Sequence, residues 1–186
     1  MRSICVFCGS SPGNRPEYVG LARDAGRLIA ERQLTLIYGG GKVGLMGALA
    51  DAALAAGGRV IGIIPQMLLE REVAHRGLTD LRIVSTLSER KFMMGVLSDA
   101  FLSLPGGIGT LDELFEAWSW AQLGLHKKPS GLLNFQGYYD HLVQFLDLTL
   151  SEGFQRPEHR AALQVGTEVG PLLDQLIAAS QSTAPK

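Results

Sequence analysis

The stretch "AFLSLPGGIGTLDELFEAWSWAQLGLHKKPSGLLN", Ala100 to Asn134, decides the fold. It opens on a short apolar run, Ala100–Leu104, that reads as a buried strand. The chain then turns on Gly106, Gly107 and Gly109. A helix follows over Thr110–Leu123, with Asp112 and Glu113 expected in its first turn. A second apolar run, Ser130–Asn134, is another strand. Two continuous apolar strands joined by a helix make a parallel crossover, buried on both faces.

The same alternation extends in both directions. "SICVFC" (Ser3–Cys8), "LTLIY" (Leu34–Tyr38), "RVIGII" (Arg59–Ile64, stopped by Pro65) and "LRIVS" (Leu81–Ser85) read as strands. Helical periodicity covers Tyr18–Arg32, Leu45–Ala56, Ser88–Asp99 and Tyr138–Gly153. A weak strand near Ala162–Val165 precedes a last helical segment, and Gln66–Asp80 is the least regular part. With no linker and no repeat, the expectation is one doubly wound, Rossmann-like α/β domain over residues 1–180. Its sheet is mostly parallel with helices on both faces, and residues 181–186 form a frayed tail. Such sheets take ligands at the carboxyl ends of their strands.

Composition narrows the function classes. The 186 residues are 46% hydrophobic and 19% charged, which is globular. A net charge of −1 supplies no basic face for duplex nucleic acid. No apolar run approaches the ~18 residues of a membrane span. The N-terminus reads as a strand rather than a signal peptide, so a cytoplasmic protein is expected. Cys5 and Cys8 form a C-x-x-C within a strand, where positions three apart face opposite sides. They are expected as buried thiols, not as a redox or zinc pair. His75, His126, His141 and His159 show no metal-ligand spacing, and neither a metal nor a cofactor is expected. Trp118 and Trp120 lie on opposite sides of their helix, one for the core and the other for an interface. Met46, Met93 and Met94 are expected to pack.

Three turns follow strands: Cys8–Gly13, Gly39–Gly44 and Pro105–Thr110. Gly39–Gly44 satisfies G-x-G-x-x-G, but it follows the second strand and lacks the acid about 20 residues on, so a dinucleotide is not expected. Val43 stands where a phosphate-binding P-loop needs Ser or Thr. Pro105–Thr110 is the stronger candidate. Its glycines let backbone N–H groups approach a ligand, and the helix beginning near Thr110 adds unbonded donors and a positive dipole end. Thr110-Leu111-Asp112-Glu113 also fits a capping box, in which Thr110 caps the helix and Glu113 reaches back. That alternative does not account for three glycines in the four residues before Thr110. An ionised Glu113 beside a phosphate-anchored sugar is placed to stabilise an oxocarbenium-like transition state or activate water. Arg90 and Lys91 supply cations on the preceding helix, or form only a solvated face.

Together "PGGIGTLDE" and "RKFMM" resemble the paired motifs of the Lonely Guy family, once widely labelled lysine decarboxylase. "FCGSS", "YGGGKVGLMG", "VIGIIP" and "WAQLGLHKKPSGLLNFQGYYDHL" agree, so the likeness runs from about Ser3 to Leu150. The resemblance implies a homodimeric Rossmann-like enzyme that hydrolyses cytokinin riboside 5′-monophosphates, or AMP, to free base and ribose 5-phosphate. It implies Arg90 and Glu113 as the catalytic pair. It places substrate contacts on Glu72, Arg90, Lys91, Gly106, Gly107, Ile108, Gly109, Thr110, Leu111, Asp112, Glu113 and Ser119. Leu87 and Ser88 stand where the family often has Met-His, which bears on base preference. Two other readings fit the same residues: a non-catalytic nucleotide or cofactor carrier, and an AMP nucleosidase without a hormone role. A pyridoxal-phosphate decarboxylase is disfavoured, because Lys42, Lys91, Lys127 and Lys128 all lie in exposed-looking polar settings.

Overall fold

The computed structural model describes residues 1–69 and 73–182. In chain order the elements are β1 (Ser3–Phe7), α1 (Pro16–Glu31), β2 (Thr35–Tyr38), α2 (Gly44–Ala55), β3 (Val60–Pro65), β4 (Asp80–Val84) and α3 (Leu87–Leu97). They continue with β5 (Phe101–Ser103), α4 (Ile108–Gln122), β6 (Ser130–Leu133), α5 (Asp140–Ser151), α6 (Pro157–Ala161), β7 (Leu163–Gly166) and α7 (Val169–Ser182). Every strand pairing is parallel, in the order β4-β3-β2-β1-β5-β6-β7. The doubly wound single domain expected from the alternation is therefore present.

Two-residue periodicity sorts the strand side chains onto two cores. Ile4 and Val6 of β1, with Leu36 and Leu102, join α1, α2 and α7 through Ala22, Leu49 and Leu172. Cys5 and Phe7, with Ile37, Ile63 and Phe101, pack on the other face against Met94 of α3 and Ala117 of α4. Cys8 belongs to the first core and Cys5 to the second, and both thiols are free and buried. A third cluster, Leu114, Trp118, Leu132, Tyr139 and Leu146, seats α5 beside α4.

The order reverses between β1 and β5, so the chain leaves these neighbouring strands toward opposite faces. A crevice opens there at their carboxyl ends. The turns after β1, β2 and β5 all lie along that rim.

Several boundaries differ from expectation. Pro65 is the last residue of β3, paired with Val84 in register, rather than the residue that stops it. The short α6 was not foreseen: its proline start and basic end span too few residues for a periodic signal. Trp118 is core and donates its indole N–H to the His159 carbonyl at 3.0 Å. Trp120 is half-buried and lies 3.4 Å from where a Gly95 Cβ would be, so part of it packs on α3. The last helix runs to Ser182, past the expected start of the tail, and 183–186 lie outside the described residues.

Candidate active site

The turn after β5 is built around missing side chains. Helix α4 starts at Ile108, with Gly107 as an extended N-cap that supplies no side-chain bond. Thr110 is thus the third helical residue and is buried. Asp112 and Glu113 fall in the second turn, and no acid occupies the first. The capping-box reading of Thr110–Glu113 and the first-turn acids are both corrected. Glycine at 107 lets the helix begin two residues earlier than a Thr110 start would. Gly107 itself offers the first-turn N–H groups no side-chain acceptor.

Gly106 and Gly107 do different jobs. A Cβ on Gly106 would lie 2.1 Å from Thr110 Oγ1 and 2.9 Å from the Gly9 nitrogen, so the turn closes only with glycine there. A Cβ on Gly107 or Gly109 would meet nothing within 4 Å. These two glycines face open space.

That space is a cavity of about 420 Å³. Its walls come from Gly9–Gly13 after β1, Gly39 after β2 and Pro105–Thr110 after β5, with Leu45 and Met46 of α2 beneath. Tyr18 and Tyr138 close one side, and Arg90 of α3 and Glu113 of α4 both reach in. Arg90 is only 7% exposed, so the solvated-face reading of this residue is corrected. Its Nη2 donates to the Gly39 carbonyl at 3.0 Å. A Cβ at position 39 would stand 1.9 Å from that same nitrogen. The second glycine turn, which mimics a dinucleotide loop in sequence, is therefore the seat of an arginine.

The Cys8 thiol in the cavity wall reports on both charges. Burial pushes its pKa up, Glu113 pushes it further, and Arg90 pulls it back. A cation and a carboxylate therefore act on one buried point beside an open helix N-terminus.

The other expected contacts divide. Gly106, Gly107, Ile108, Gly109 and Thr110 line the cavity with Arg90 and Glu113. Lys91, Leu111, Asp112 and Ser119 do not. Lys91 is neither exposed nor free: its Nζ binds Asp112 at 2.9 Å and also Glu116, tying α3 to α4. Burial lowers its pKa, and the two carboxylates outweigh that to leave it raised. Leu111 packs on the third core, and Ser119 is exposed on the outer face of α4. Glu72 lies outside the described residues. Met46, expected only to pack, also lines the cavity, and Met94 is core. Ser10, Ser11, Tyr18 and Tyr138 are wall residues that sequence reasoning missed. The signal for the first two was the turn "CGSSPG" after β1, at the switch point.

Among the described residues no lysine lines the cavity, so none of them stands where it would hold pyridoxal phosphate there. Lys42 and Lys127 are exposed, and Lys128 donates to the Gly95 carbonyl at 2.6 Å, which corrects its expected exposure. His75 is buried and bonded to Asp51 at 2.8 Å, and no group of three potential metal ligands occurs among the described residues.

A doubly wound parallel sheet, with Arg90, Glu113 and the start of α4 around one cavity at its switch point, defines the class: a Rossmann-like α/β protein. Within that class the chain belongs to the family described as "Possible lysine decarboxylase", which it matches over residues 46–176. It is 49% identical over 159 residues to a probable cytokinin riboside 5′-monophosphate phosphoribohydrolase of Oryza sativa subsp. japonica, covering 86% of this chain and 70% of that one. It is 44% identical over 175 residues to a cytokinin riboside 5′-monophosphate phosphoribohydrolase of Arabidopsis thaliana, covering 94% of this chain and 81% of the relative. Among solved structures, the molybdenum cofactor binding protein of Rippkaea orientalis superposes with a TM-score of 0.73 at 22% identity, covering 96% and 97% of the two chains. That likeness is one of fold.

Proposed function

We propose that the protein is a phosphoribohydrolase that cleaves the N-glycosidic bond of cytokinin riboside 5′-monophosphates, and of AMP. The observation that carries this is the convergence of Arg90, Glu113 and the open start of α4 on one cavity. The names of the relatives support the reaction class.

In this reading the 5′-phosphate sits at Gly106–Thr110, where backbone donors and the helix dipole meet it. Glu113 is four residues beyond Gly109, or about 6 Å along the axis. That is comparable with the span of a ribose from its 5′-phosphate to C1′. The C1′–N bond breaks as positive charge develops on the sugar, which the Glu113 carboxylate stabilises or for which it activates water. The water oxygen bonds to C1′, and one of its protons ends on the departing base nitrogen. Arg90, fixed on Gly39, keeps a cation beside this carboxylate and the phosphate.

The active form in this reading is a homodimer. Phe92 and Val96 stand one turn apart on α3, 62% and 61% exposed. An exposed apolar pair of this kind is what an interface buries. The setting is cytoplasmic, and no helix among the described residues is long and apolar enough to cross a membrane.

The test is incubation with AMP and with isopentenyladenosine 5′-monophosphate, without added metal, followed by chromatography. Free base is expected from at least one of them. No free base from either, at high enzyme concentration, removes the hydrolase reading.

A further inference from the structure

The Gly106–Gly107 peptide is the one plane in the phosphate turn flanked by glycine on both sides. Glycine is the most permissive residue in φ and ψ. Rotation of that peptide would carry a carbonyl, rather than an N–H, toward an incoming anion. Nothing within Pro105–Thr110 itself bonds the Gly106 carbonyl. The bond comes from the neighbouring crossover: the Tyr138 hydroxyl donates to it at 2.8 Å.

Tyr138 is held for this contact. Residues Gln136 and Gly137 both adopt left-handed φ, +50° and +74°, which turns the chain back toward the glycine turn. The Tyr138 ring meets Tyr18 edge-on at 5.6 Å and Tyr139 edge-on at 4.7 Å. The adjacent Tyr139 is buried and donates its own hydroxyl to the Leu104 carbonyl at 2.9 Å. Asn134 anchors the pair to the sheet: its Oδ1 accepts from the Tyr139 N–H at 2.7 Å, and its own N–H donates to Gly166 at the end of β7 at 2.7 Å.

We propose that Tyr138 is a positioning residue for the phosphate turn. Its hydroxyl satisfies the Gly106 carbonyl at the cavity wall and locks the Gly106–Gly107 plane. In a trans peptide this also fixes the direction of the Gly107 N–H. The proposal rests on the reading of Pro105–Thr110 as the phosphate site. It adds that the donors there are aimed by a second crossover rather than by the turn alone.

The test compares the full chain with Tyr138→Phe, which removes the hydroxyl and keeps the ring. Two quantities are read: the ratio of kcat/KM for AMP over adenosine, and the affinity for inorganic phosphate by calorimetry. Each should fall by about tenfold, the upper range for one neutral hydrogen bond. Thr149→Val is the control: it removes a hydroxyl from α5 of the same crossover, one that donates to the Leu146 carbonyl at 2.7 Å and does not line the cavity. This variant should leave both the AMP-to-adenosine ratio and the phosphate affinity unchanged. Tyr139 is unsuited to that part, because its hydroxyl also bonds the Gly106 backbone. An unchanged ratio and unchanged phosphate affinity in Tyr138→Phe overturn the proposal, as does an equal loss in Thr149→Val. Phosphate binding is read without turnover. A wild-type protein that binds phosphate yet releases no base therefore overturns the hydrolase reading and leaves the role of Tyr138 to be decided by calorimetry. A wild-type protein that binds no phosphate overturns both.

Discussion

Helices α3 and α4 carry nearly the same tetrapeptide at their starts, "TLSE" at 86–89 and "TLDE" at 110–113, and use it in opposite ways. In α3, Thr86 is the N-cap and accepts from the Glu89 N–H at 3.0 Å, while Glu89 reaches back to the Ser85 N–H at 2.8 Å. That helix end is closed by its own side chains. In α4 the N-cap is Gly107, Thr110 lies inside the first turn, and Glu113 points into the cavity. That end is open. The tetrapeptide does not decide between the two; the residues before it do. "IVS" ends a strand and leaves Thr86 to start the helix, whereas "PGGIG" starts the helix first. The capped start of α3 spends its donors on its own side chains, whereas the start of α4 leaves Gly107 without a side-chain cap beside a cavity.

The contrast breaks most visibly if the open end holds no phosphate. Two or three hydrogen bonds to a charged group at ~1.5–3 kcal/mol each, less the desolvation of the phosphate, leave roughly 4–6 kcal/mol. AMP should then exceed adenosine by about 10³–10⁴-fold in kcat/KM. A ratio near one, measured under identical conditions, would make α4 no different from α3.

The two glutamates should differ next. Glu113→Gln keeps the shape and removes the charge, and is expected to lower kcat by about 10²-fold or more with little change in melting temperature. Near-normal turnover in a stable Glu113→Gln protein would take Glu113 out of the mechanism.

Within the open end, Gly107→Ala should fold normally, because its Cβ would meet no protein atom within 4 Å. It should still weaken AMP use by roughly tenfold or more, since the added methyl enters the space assigned to the phosphate. Circular dichroism and kinetics on one sample separate the two effects. Full activity would place the phosphate elsewhere.

The smallest effect belongs to the closed end. Thr86→Ala should cost about 1 kcal/mol, or about 2–4 °C in melting temperature for a chain of this size, with AMP turnover intact. A large loss of turnover in Thr86→Ala would mean that the start of α3 positions Arg90 more tightly than its exposed cap suggests.

The central strands β1, β2, β3, β5 and β6 were legible because each is a nearly continuous apolar run, whereas the edge strands β4 and β7, with Asp80, Arg82 and Gln164 in them, gave a weaker signal. That Arg90 and Glu113 meet at one cavity was expected from the motif resemblance and the glycine turn. Other features depend on contacts that no local pattern encodes. The burial of Arg90 follows from the empty Cβ position of Gly39, 51 residues away in the chain. Lys91 looked solvated because its partners, Asp112 and Glu116, sit on the next helix. Tyr138 enters the site from α5's approach, two strands from the switch point, and its spacing from Gly106 carries no signal. The mistaken cap at Thr110 has the same origin: T-x-x-E names a motif, and only the preceding backbone says where the helix begins.

The seat of Arg90 limits how the chain can change over generations. Nη2 fills the volume that any side chain at position 39 would need, so the two positions cannot drift independently. Alanine at 39 evicts the guanidinium while arginine is present. Only after the arginine is lost does position 39 become tolerant. In a collection of descendants, variation at 39 should therefore appear only where 90 has also changed. A lineage with serine or alanine there would be marked as one that has abandoned the chemistry, even if its glycine turn at 106–109 survived intact.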